Sequence, residues 1–74
     1  MNKKELEWKA KKIVFLLSQN EKLSLKQLCG LMDDKQLNIM LSLGSLLKEG
    51  KISMHEREND VIVESTYYYT HMYY

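Results

Sequence analysis

Apolar and polar positions along this chain follow two rhythms, a helical one up to Glu49 and an alternating one beyond Gly50. Leu6, Ala10, Ile13, Val14 and Leu17 recur at helical spacing and form one apolar stripe. They predict a first helix from about Lys4 to Gln19, with Asn20-Glu21-Lys22 as its break. Trp8 and Phe15 fall nearly opposite that stripe, where a monomer's core has no place for them. Ser24 with Gln27 has the spacing of a capping box, and Leu23 with Leu28 that of the matching hydrophobic staple. Asp33 with Gln36, flanked by Met32 and Leu37, repeats the arrangement. Each signature puts a side-chain oxygen on an unpaired backbone N–H, which predicts helices over about Leu25–Leu31 and Asp34–Glu49. So short a connection forces the two to cross sharply.

In the third helix Leu37, Met40, Leu41, Gly44 and Leu47 form the expected buried face, with Leu43 beside them. A mid-helix glycine costs about 1 kcal/mol relative to alanine. Close approach of the first or second helix is the expected compensation at Gly44. Gly50 stands where a left-handed helix cap is needed. Then Ile52 and Met54 alternate with Ser53 and His55, and Val61 and Val63 with Ile62 and Glu64. The turn between them is Arg57-Glu58-Asn59-Asp60, and Leu23 is a candidate for a short third strand beside this hairpin. The expected class is α+β, mainly helical: a winged helix-turn-helix of three helices followed by a β-hairpin wing.

Length confines this to one domain, residues 1–74, with a core over about 4–65 and a tyrosine-rich segment at 66–74. A chain of this size buries roughly 60% of its unfolded surface, so it needs short loops and a shared core. Eleven Lys/Arg against ten Asp/Glu leave a formal charge of +1. Dedicated nucleic-acid domains are often strongly basic, so this balance argues against tight nonspecific binding. Cys29 is the only cysteine, which excludes an intrachain disulfide and suits a reducing cytoplasm. The apolar run Ile13–Leu17 is too short for a signal-peptide core or a membrane span.

The run Leu43-Gly44-Ser45-Leu46-Leu47-Lys48-Glu49-Gly50-Lys51-Ile52 adds a likeness, together with Leu16-Leu17-Ser18 and Leu23-Ser24. It resembles a small bacterial family of stand-alone winged helix-turn-helix domains of unknown function, over roughly residues 4–65. The resemblance implies a bacterial protein and DNA binding, and supplies no catalytic or ligand residues. Members of that family tend to carry an aromatic where Ser45 stands, so packing there is expected to differ.

Two functional readings follow. In the first, a transcription-associated module binds double-stranded DNA. The third helix would enter the major groove through Lys35, Asn38, Ile39 and Ser42, while Lys26, Lys51 and Arg57 touch phosphates. Local charge weakens it: Asp33–Ser42 holds one Lys against two Asp, and Glu56–Asp60 one Arg against three acids. A solvated helix face accounts for the same residues equally well. The larger basic cluster, Lys3, Lys4, Lys9, Lys11 and Lys12, lies on the first helix and reads as a solubilising face.

In the second reading the fold serves protein–protein contact or self-association. Aromatics are enriched at interfaces, and Trp8 and Phe15 with Tyr67, Tyr69 and the other C-terminal tyrosines supply the candidate surface. Covering of the small core by this segment within one chain is the competing account. Enzymatic chemistry finds no support. His55 and His71 are isolated, one cysteine makes no zinc spacing, and Gly30, Gly44 and Gly50 are scattered. No cofactor, metal or small-molecule ligand is expected.

Overall fold

The computed structural model describes residues 2–66. Its elements are α1 (Lys3–Gln19), β1 (Lys22–Ser24), α2 (Leu25–Met32), α3 (Gln36–Lys48), β2 (Ile52–Arg57) and β3 (Asp60–Ser65). The strands form one antiparallel sheet in the order β1-β3-β2. The hairpin is therefore present, and the segment around Leu23 completes it as a third strand.

Each boundary has a local cause. Asn2 caps α1 by accepting the Glu5 N–H at 2.8 Å. The capping box of α2 is complete: Ser24 Oγ accepts the Gln27 N–H, and Gln27 Oε1 accepts the Ser24 N–H. Helix α3 ends in a Schellman motif, with the Lys51 N–H donating to Leu46 O and the Gly50 N–H to Leu47 O, both at 3.0 Å. This closure needs a left-handed residue, and Gly50 supplies φ 73 without penalty.

The second expected capping box does not form. Asp33 adopts φ 51, and its N–H and that of Asp34 fold back onto Gly30 O and Cys29 O to finish α2. A residue spent on a left-handed helix end cannot take the extended backbone of an N-cap. Helix α3 consequently starts at Gln36, with Lys35 as an N-cap that has no side-chain cap bond.

The core lies between α1, α2, α3 and one face of the sheet. Ala10, Ile13 and Leu17 enter from α1, Leu25 and Leu28 from α2, and Leu23, Ile52 and Val63 from the strands. Leu23, Val63 and Met54 stand in one row, because Val63 pairs with Leu23 on β1 and with Met54 on β2.

Helix α3 overturns its expected orientation. Its buried residues are Ile39, Ser42, Leu43 and Leu46. Leu43 is inside as expected, but the rest of the expected face is exposed: Leu37 by 68%, Met40 by 42%, Leu41 by 51% and Leu47 by 49%. Gly44 is exposed as well, and a Cβ built there meets nothing within 4 Å, so no neighbouring helix explains it. The helix carries apolar stripes on opposite faces, and the smaller one faces the core. Ser42 is accommodated inside because its hydroxyl donates to Asn38 O at 3.1 Å.

Candidate interaction surface

The residues proposed for reading DNA do not share a surface. Ile39 and Ser42 are fully buried, so neither reaches a groove. Asn38 is half-buried and donates its amide to Asp34 Oδ1 at 2.9 Å. Of the four, Lys35 alone stands exposed, at the N-terminal end of α3.

The candidate phosphate contacts divide between two ends of the helix. Lys26 lines a cleft of about 260 Å³ with Gln36 and Asp60, which joins the starts of α2 and α3 to the wing. Arg57 is exposed and sits opposite Asp60 across the hairpin. Lys51 lies past the other end of α3, about 20 Å along its axis, and its ammonium is 3.7 Å from Glu49. The loop between β2 and β3 is two residues long, with Glu58 at φ 58. Lys26, Lys35 and Arg57 thus form the basic set near the α3 N-terminus, beside Asp33, Asp60 and the acids of the wing.

Asp34 is tied up structurally. It pairs with Lys9 of α1 and also accepts from the Asn38 amide and the Lys35 N–H. These contacts, the one with Lys9 foremost, lower its pKa from 3.8 to about 2. The folded carboxyl therefore holds its proton less tightly than the unfolded one. Stability from this group is complete above about pH 4 and drains away as pH falls towards 2. Urea midpoints measured from pH 5 to pH 2 should fall more steeply for the native protein than for Asp34→Asn; parallel curves would refute this coupling.

The aromatics of α1 are exposed as expected, Trp8 by 60% and Phe15 by 58%. Lys12 Nζ lies 5.3 Å from the Trp8 ring centroid, a cation–π contact that partly covers it. Tyr67, Tyr69 and the other C-terminal tyrosines lie outside the described residues. A groove of about 330 Å³ between α1 and α3 has Ala10, Val14 and Leu46 along it, and Ser45 on its rim. It opens at the position where the resemblance led one to expect different packing.

The surface that sequence reasoning missed is the outward side of α3. Leu37, Met40, Leu41 and Leu47 are exposed on one side of α3 around Gly44, with Gln36 at one end and Lys48 at the other. Its signal was visible as an excess: α3 holds more apolar residues than one buried face can use. Among the described residues no group of three metal-ligating side chains comes together, and no helix is long and apolar enough to cross a membrane.

Comparison with curated proteins and with solved structures returns no match. The family described as winged helix-turn-helix domain (DUF2582) matches residues 1–65. That span takes in all three helices and the three-stranded sheet, so the chain belongs to this winged helix-turn-helix family.

Proposed function

We propose that this winged helix domain is a non-enzymatic protein-interaction module whose contact surface is the outward face of α3. The supporting observation is the exposure of Leu37, Met40, Leu41 and Leu47 on one helix face. Contiguous exposed apolar surface rimmed by polar residues is characteristic of protein contact sites. It is poorly suited to DNA, whose affinity comes from neutralised phosphates and whose sequence is read by polar side chains. With native domain and Leu41→Glu immobilised side by side at equal helix content, a partner should be retained by the native bait and lost by the variant. Equal retention on both would end this reading.

DNA binding is the second reading, favoured by the family's fold and by Lys26 in the cleft with Gln36 and Asp60, Lys35 preceding Gln36 and Arg57 facing Asp60 across the hairpin. Three phosphate contacts predict that affinity falls roughly fortyfold between about 50 and 200 mM salt. Lys35→Glu should then abolish binding to random duplex DNA. Salt-insensitive binding, or none at the lower salt, would remove this second reading.

A further inference from the structure

From the groove between α1 and α3 we infer that it seats the chain's own tyrosine segment, with Tyr67 and Tyr69 laying their rings along its bed. This is independent of the reading of α3's outward face, which uses other residues of that helix.

The chemistry of the groove suits a phenol. Its bed is apolar, from Ala10, Val14 and Leu46, and the small side chains of Ala10 and Ser45 help to leave about 330 Å³ open. Two exposed carboxylates, Glu7 and Glu49, line it as well. A tyrosine fits such a slot because its ring is apolar while its hydroxyl can donate at a wet edge.

The described chain ends beside this groove. The Thr66 N–H donates to Lys51 O at 3.0 Å, and the Thr66 hydroxyl donates to Gly50 O at 2.7 Å. Lys51 is itself a lining residue, and β3 packs on α1, the opposite wall. From Glu49 back to Ser45 is about 6 Å along α3, and three extended residues reach up to about 10 Å. Residues 67 to 69 are therefore long enough to span the slot. Parity selects the two rings. Val63 and Ser65 are the buried residues of β3, and their alternation carried two steps further puts 67 and 69 on that same side. Position 68 falls on the opposite one. From 67 to 74 the sequence has five tyrosines and no Lys, Arg, Asp or Glu. Burying its rings therefore strands no such charge.

In the full chain, nuclear Overhauser contacts from tyrosine rings to the Ala10 and Val14 methyls are the expected result, unchanged on dilution. Ser45→Trp, which fills the slot, should remove them while circular dichroism keeps its helix content. Tyr67→Ser with Tyr69→Ser should lower the melting temperature by at least about 4 °C, and Tyr68→Ser with Tyr73→Ser by less than half of that.

Absence of ring contacts to Ala10 and Val14 in the native chain overturns the inference. So do contacts that reach Trp8 and Phe15, or Leu41, in their place, because the segment then covers another face. Contacts seen only between differently labelled copies would mean that a second molecule's segment fills the groove, and also overturn it. If Ser45→Trp does not fold, the paired melting shifts decide: equal shifts reject the choice of Tyr67 and Tyr69.

Discussion

Ile39→Ala is expected to lower the unfolding free energy by about 2–5 kcal/mol, whereas Leu37→Ala should change it by no more than about 0.5 kcal/mol. The two residues are two positions apart on one helix and have side chains of equal carbon count. Ile39 is completely buried and Leu37 is 68% exposed. Deleting three carbons from Ile39 removes packing against a core formed by α1, α2 and the sheet, and leaves a cavity. Deleting them from Leu37 only trims surface. The loss at Ile39 is a large fraction of what holds a domain of this size, since total stability is typically about 5–15 kcal/mol. Denaturant midpoints for the two variants, measured well below any dimer dissociation constant, give the comparison directly. If the costs were reversed, α3 would be turned over relative to the arrangement described, and the apolar contact surface would vanish with it.

The next largest contrast lies in the central strand. Val63→Asp should abolish the cooperative unfolding transition near neutral pH, while Ile62→Asp should remain folded. Val63 is fully buried and shares its row with Leu23 and Met54. Ile62, its neighbour, points to the other face of the sheet and is half-buried. Among the described residues no buried side-chain nitrogen or oxygen lacks a hydrogen-bond partner. A carboxylate at 63 would stand alone among aliphatic side chains, at an effective cost of several kcal/mol. Circular dichroism and thermal melts distinguish the outcomes. A folded Val63→Asp with a normal melting transition would mean that β3 is shifted by one residue, which exchanges its two faces.

Elements whose causes are local were legible in advance. Helix α1 runs from Lys3 to Gln19, close to the expected span, because one stripe and one polar break define it. The α2 cap formed as its spacing indicated, since Ser24 and Gln27 need only each other. Glycine at 50 marked a left-handed cap that no side chain had to support. The hairpin followed from period-two alternation around a polar turn. Exposure of Trp8 and Phe15 followed from their position opposite the α1 stripe.

The second cap failed because two local signals compete for Asp33. Its spacing to Gln36 fits an N-cap, and its short polar side chain also tolerates the left-handed turn that ends α2. Closing α2 took the residue, and Asp34 became the anchor, held by Lys9 from a helix that lies more than twenty positions earlier in sequence. No window of neighbouring residues contains that contact. The candidate DNA-reading face was not legible either, because Ile39 and Ser42 lie inside the core and Asn38 is half-buried against Asp34.

Backbone chemistry written in the chain was enough to set the span of α1, the start of α2 and the exit of α3, and to pair β2 with β3, because those choices are made among near neighbours. Which side of α3 meets the core was decided only when α1, α2 and the sheet closed around it. Both sides are apolar, and hydrophobic burial has no direction of its own. The inward side is the one whose Ile39, Leu43 and Leu46 join the core residues of α1, α2 and the sheet, with Asp34 held by Lys9 just before the helix begins, and the larger stripe is left outside.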